Sequence, residues 1–412
     1  MTLFKSLALG AVLMAGGTVS APLAIAKEKA AAAPSLKLGG PFRAAAAPAQ
    51  AALKANDAAG AGAKIAAAEA AATAPDEKFV AAQLRLQLGS LLKDQAMQSA
   101  AVNAMLASGS AGATPDLPRL NFFAGQFAYQ ANDFPKAIQY LTEAQRLGYE
   151  SPDGHLLLAE AHFKSKQVPL GLTHVEKAIA MSSAAGTKPP ESWYARAASQ
   201  AYAAKLMPEA AKWTRDQVRA YPTAENWRSA LVIFRDSTQR EGGQLLDIFR
   251  LMRMTKSLAG ERDYYEFAAL SSERGLPGET KAVIDEGMAI SAIPAKNVTL
   301  AGLRTSAAGK IAADQASLAA GERQAAASAT GRLAANTGDA YLGYAQDAKA
   351  IALYRTALTK GGVDADAVNT RLGIALARSG DKAGARSAFQ AVKGARADIA
   401  AFWLLWLDQQ GA

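Results

Sequence analysis

The feature that most constrains this chain is a small residue that returns at a nearly constant interval. Ala61, Ala96, Ala137, Gly171, Ala210, Gly243, Thr280, Ala316, Ala350 and Ala385 are separated by 35, 41, 34, 39, 33, 37, 36, 34 and 35 residues. The surrounding pattern is helical. Ala137, Leu141 and Ala144 sit at i, i+4 and i+7, one stripe of a 3.6-residue helix. Ala124-Gly125 belongs to the helix before it, and Asn132-Asp133 reads as the turn between the two. The same frame returns as Leu158-Ala159 with Val168, Gly171, Val175 and Ala178, and again as Leu372-Gly373, Gly380-Asp381, Ala385 and Phe389. One helix pair cannot bury its apolar face alone, so the repetition is itself the means of making a core.

This frame resembles the tetratricopeptide repeat, a 34-residue helix–turn–helix unit with small residues where its helices cross. The resemblance implies an all-α, right-handed superhelical solenoid of about ten degenerate hairpins over residues 42–395. Irregular gaps coincide with loop-like insertions at 108–112 and 185–190, and Pro75, Pro118, Pro190, Pro222 and Pro294 fall between units, where a helix must stop. The end of the array needs a cap. Residues 396–412 supply one, with Ile399, Phe402, Trp403 and Trp406 on one stripe and Leu404, Leu405 and Leu407 around it. A helix apolar on nearly every side must be covered. It is expected either as a buried cap or as a self-association surface through Phe402, Trp403 and Trp406.

The first 26 residues read as a secretory signal. Lys5 is their only charge, Ser6 to Gly17 form an apolar core too short to span a bilayer, and Ala24-Ile25-Ala26 is a small-x-small cleavage site. Residues 27–41 then read as a flexible Ala/Lys-rich leader. The expected product is exported, periplasmic or secreted, with no membrane span after cleavage. The chain has no cysteine, which excludes disulfides, thiolate chemistry and an acylated N-terminal cysteine. A net charge of +9 on 412 residues is a mild excess, suited to anionic envelope polymers more than to nucleic acid, which is not expected as a partner.

Motifs for chemistry are weak throughout. The chain's three histidines, His155, His162 and His174, fall in one repeat with Glu160 nearby. The zinc-protease spacing of two histidines four apart is absent, and the positions are ones a repeat uses for packing. Gly302 to Lys310 has the wrong spacing for a phosphate loop. Ser90-Leu91-Leu92-Lys93 and Ser379-Gly380-Asp381-Lys382 match Ser-x-x-Lys without its accompanying motifs. Glu261/Asp263 and Asp285/Glu286 read as solvated charges. No catalytic residue, cofactor or metal is expected.

In the tetratricopeptide family the first helix of each unit lines a channel that holds ligands. The resemblance therefore implies a peptide groove lined by Arg119, Phe122, Gln126, Tyr129, Leu156, Glu160, Phe163, Ser199, Tyr202, Arg228, Arg235 and Tyr265. Aromatics and arginines suit extended or helical peptides through contact area and planar hydrogen bonding. The expected role is a non-enzymatic scaffold holding a protein partner in an envelope assembly. An enzyme or enzyme accessory of peptidoglycan or polysaccharide metabolism is the alternative, and a self-associating structural protein a second.

Overall fold

The computed structural model describes residues 35–411. The signal segment and residues 27–34 of the leader lie outside the described residues. Helices, with turns and loops, make up the whole of what is described, and no strand occurs among these residues. The chain divides into two compact units, Met1–Ala124 and Gly125–Ala412.

The first unit holds α1 (Gly40–Lys54), α2 (Ala58–Ala71), α3 (Pro75–Leu92) and α4 (Gln95–Ala107), then a short 3-10 turn that leads into α5 (Leu117–Gln130). Phe42, Ala46, Ala49, Ala61, Ile65 and Ala68 interlock with Val80, Leu84 and Leu88 as its core. The end of the segment read as a flexible leader is tied down. The Lys37 amide donates to Asp76 at 2.8 Å and the Gly39 amide to Glu77 at 2.8 Å. The amides of Ala74, Gly39 and Thr73 together hold the Glu77 carboxyl down at about 2.

The second unit continues with α6 (Phe134–Arg146), α7 (Pro152–Lys164), α8 (Val168–Ala184), α9 (Glu191–Ala203), α10 (Met207–Ala220), α11 (Ala224–Asp236) and α12 (Gly242–Met254). It is completed by α13 (Gly260–Glu273), α14 (Pro277–Ala289), α15 (Val298–Ala327), α16 (Arg332–Gly343), α17 (Asp347–Lys360), α18 (Ala365–Arg378), α19 (Lys382–Ala391) and α20 (Ala397–Gln409).

The hairpin turn has a local cause that recurs in both units. At Asn56-Asp57, Lys93-Asp94, Asn132-Asp133 and Gly380-Asp381 a residue in the left-handed region ends one helix and the next aspartate caps the following one. Each Asp side chain accepts from a first-turn amide, at 2.7, 3.0, 3.1 and 2.8 Å respectively. An N-cap of this kind contributes about 1 kcal/mol. Where helices cross, a glycine lets them close. A Cβ on Gly125 would lie 2.6 Å from Leu141, and one on Gly373 2.5 Å from the Phe389 ring.

Eight of the ten small residues that defined the period are buried; Ala96 and Ala316 are exposed. Ala316 marks a real departure. The hairpin expected there is one continuous 30-residue helix, α15. No proline and no Asn-Asp turn interrupts 298–327, so nothing stops the helix. Lys360 caps its far end, donating to the carbonyls of Ala325, Ala326 and Ser328 at 2.9, 2.7 and 2.6 Å. Paired helices resume afterwards as α16/α17 and α18/α19.

The C-terminal helix takes the first of the two forms expected of it, a buried cap. Phe402 and Trp403 are 1% and 0% exposed, and Trp406 is half-buried. The Phe402 ring packs on Phe234 and Trp227 of α11, with centroids 4.9 and 6.2 Å away. Trp227 Nε1 donates to Gln409 Oε1 at 3.2 Å, and Gln409 Nε2 donates to the Val218 carbonyl at 3.0 Å. The chain thus returns after some 180 residues to α10 and α11, and a single core runs from Val218 to Leu407.

Candidate functional site

At the middle of that returning turn lies a buried ionic cluster that sequence reading missed. Arg250 of α12 donates to both oxygens of Glu279 on α14, at 2.9 and 2.7 Å, and to Asp247 Oδ1 at 2.9 Å. Arg396, just before α20, donates to Asp247 Oδ2 at 2.5 Å. Arg371 of α18 donates to Asp339 of α16 at 2.6 Å, and Tyr354 of α17 donates to the other Asp339 oxygen at 2.7 Å. Three arginines meet three carboxylates, so the cluster is neutral. Burial alone would lower the Arg250 guanidinium, but Glu279 and Asp247 hold it above its ordinary value. Arg250, Arg371 and Asp339 also line a cavity of about 730 Å³. Since these three are already paired with one another or with buried neighbours, the cluster reads as a lock on the fold.

An apolar cleft of about 430 Å³ opens between α11, α12 and α13. Leu245 and Phe249 of α12 and Ala269 and Leu270 of α13 form its apolar surface, and Arg235, Arg240, Arg262 and Tyr265 stand around it with Asp236, Glu266 and Glu273. Tyr265 is 44% exposed, high for a large aromatic. Two sequence-predicted residues, Arg235 and Tyr265, therefore meet at one site. The rest of this cleft was not legible, because Leu245 and Phe249 come from a second helix and Arg240 from a loop.

The other expected groove residues divide into three kinds. Ser199 and Tyr202 are exposed on α9, with Tyr202 at 56%. Arg119 is exposed and pairs with Asp116 at 2.9 Å, while Gln126, Tyr129 and Leu156 are half-buried. Phe122 packs against Phe123, with centroids 5.6 Å apart. Phe163 is a correction: it is buried at the α7–α8 crossing, where a Cβ on Gly171 would lie 2.3 Å from its ring. The charged members brace successive hairpins instead of standing free. Glu160 accepts from Arg196 through both oxygens at 2.7 Å, Arg235 donates to Glu266 at 3.1 Å, and Arg228 pairs with Asp263. Asp263, read from sequence as solvated, is 2% exposed because it also accepts the Ala259 amide at 2.9 Å. Tyr129 lies near the first of these pairs; burial, then the charge of Glu160, raises its phenol.

The three histidines do meet, but as a stack. His174 of α8 lies between His155 and His162 of α7, its ring 5.4 Å from each, at interplanar angles of 27° and 6°. No metal-holding group of three ligating side chains occurs among the described residues. His155 Nδ1 lies 2.9 Å from the Gln145 amide and 3.1 Å from His174 Nδ1, while its Nε2 faces Glu150 at 3.1 Å. Burial, then the neighbouring His155, His162 and Lys177, push His174 down to about 4. A histidine depressed in the folded state stabilises above its unfolded value near 6.5 and loses that contribution as pH falls toward 4. Thermal melts should therefore show stability dropping over this window, by about 2 kcal/mol after allowance for the ring's open side. His174→Gln should flatten the drop; an unchanged slope refutes the assignment.

No protein-family model and no curated relative matches the sequence. Solved structures similar in fold include the C-terminal part of a TPR repeat-containing protein from Cytophaga hutchinsonii, at 12% identity and a TM-score of 0.33, covering 80% of this chain and 98% of that one. A tetratricopeptide repeat protein from Parabacteroides merdae is similar at 11% identity and a TM-score of 0.28, covering 73% and 99%. PilW, a type IV pilus biogenesis factor, is similar at 15% identity and a TM-score of 0.28, covering 57% and 94%.

Proposed function

We propose that this chain is an exported, non-enzymatic scaffold that holds a segment of a partner protein, as part of a cell-envelope assembly. The observation that carries the reading is the α11–α13 cleft. It combines an exposed tyrosine, an apolar surface of Phe249, Leu245 and Leu270, and a rim in which three arginines alternate with three carboxylates. Aromatic and arginine anchors dominate affinity where proteins meet, and Tyr265 with Arg240, the rim arginine that no carboxylate pairs among the described residues, supplies both. The signal-like pattern of residues 1–26 supports the export half of the proposal.

A photoreactive residue at position 265 in living cells should trap one discrete partner, whereas the same residue at exposed position 319 on α15 should not. Tyr265→Ala should weaken that partner's binding about tenfold or more, as expected for an interface anchor. Equal trapping at both positions would remove the cleft from the proposal. Release of sugar fragments from purified cell wall by the isolated protein would overturn its non-enzymatic character. Mature protein recovered outside the cytoplasm and starting at Lys27 is the result expected for export.

A further inference from the structure

Next to the cleft lies a second pocket, of about 400 Å³, between α10, the α11–α12 loop and α20. Arg240 lines both. The second pocket is lined by Phe234 and Phe402 and by three cations, Lys212, Arg215 and Arg240, against one carboxylate, Asp398. The Arg240 guanidinium lies 4.0 Å over the Phe234 ring and that of Arg215 5.9 Å from the Phe402 ring.

Lys212 is paired with Glu176 at 2.8 Å, but the two arginines are short of partners. Arg240 donates only to the carbonyls of Arg235 and Thr238 and the Thr238 hydroxyl, and no carboxylate pairs with it among the described residues. Its burial lowers it despite Asp398 and Asp236. Arg215 reaches Asp398 only at 3.7 Å, and its Nε is buried without a hydrogen-bond partner. A buried donor left unmade is costly, and a planar guanidinium is shaped to take a carboxylate through two parallel hydrogen bonds.

Resting on the scaffold reading above, we propose that this pocket receives a carboxylate side chain of the bound segment while a neighbouring apolar residue of that segment fills the α11–α13 cleft. The partner is thus an acidic, apolar peptide. A polyanion such as a nucleic acid would match the charge but leave the apolar surface of the cleft uncovered.

Fluorescence anisotropy with the full chain tests this, using labelled peptides built from Glu, Leu and Phe and matched peptides with Gln for Glu. The acidic peptide should bind about tenfold tighter, and the gap should narrow at high salt. Arg215→Gln with Arg240→Gln should abolish the gap. Because those changes touch residues packed on α20, Asp398→Asn is the companion variant. Removing the only carboxylate in the pocket should strengthen acidic-peptide binding about threefold, a gain that misfolding cannot produce. Equal affinity for the Glu and Gln peptides overturns the acidic preference, as does no binding of either; crosslinking from position 265 decides the scaffold reading separately. Displacement of the acidic peptide by polyphosphate with the same affinity in wild type and Tyr265→Ala would assign the pocket to a polyanion and overturn the peptide.

Discussion

Asp247→Ala should destabilise the Gly125–Ala412 unit more than almost any other single change. Asp247 is fully buried and accepts from Arg250 at 2.9 Å and Arg396 at 2.5 Å, with Arg371 Nε 3.8 Å away. Removing it leaves three buried arginines facing two carboxylates. Deleting one partner of a buried ion pair costs about 3–5 kcal/mol, because the surviving charge keeps its desolvation penalty and loses its compensation. Set against a typical domain stability of about 5–15 kcal/mol, that is a large fraction. Urea unfolding followed by helical circular dichroism should show the midpoint falling sharply. Asp247→Asn, which keeps one acceptor, should fall between wild type and Ala. A loss below about 1 kcal/mol would mean that water screens the cluster as it screens surface pairs.

Trp403→Ala should be nearly as damaging, for an unrelated reason. Trp403 is 0% exposed, stacks on Phe389 at 5.5 Å and 13°, and meets Trp406 edge-on at 5.8 Å. Truncating a buried aromatic removes its burial and leaves a cavity, at a cost of about 3–5 kcal/mol. The companion Trp403→Phe separates shape from polarity. The indole Nε1 is buried without a hydrogen-bond partner, so Phe discards an unsatisfied donor as well as some volume. The Phe variant should lose much less than Ala, under about 2 kcal/mol. Equal losses would show that the nitrogen has a partner. Both variants should stay at wild-type oligomeric state in sedimentation, since the ring lies inside the chain's own core.

The hairpins were legible because their causes are local. Asn-Asp and Gly-Asp turns, small residues at crossings and a 3.6-residue stripe act within about forty residues, and all leave marks in order along the chain. The unit at Ala316 failed for the same reason in reverse. An alanine-rich stretch carries a small residue at every phase, so the spacing matched while nothing local ended α15. In the candidate site, Arg235 and Tyr265 were legible from their position on first helices. Arg228 was placed there too, yet its charge goes to Asp263 of a later helix, which no neighbouring residue announces.

By itself, the sequence determined the helical class, the period, the places where helices stop and the apolar character of the last helix. Each follows from backbone preference and side-chain pattern within one or two turns. Only the tertiary structure decided that the last helix returns to α10 and α11, that Asp247 meets Arg396 across 149 residues, and that Arg240 borders two pockets. Such pairings depend on how small rotations accumulate from one hairpin to the next. That sum is set by packing at every crossing together, so no single stretch of sequence records it.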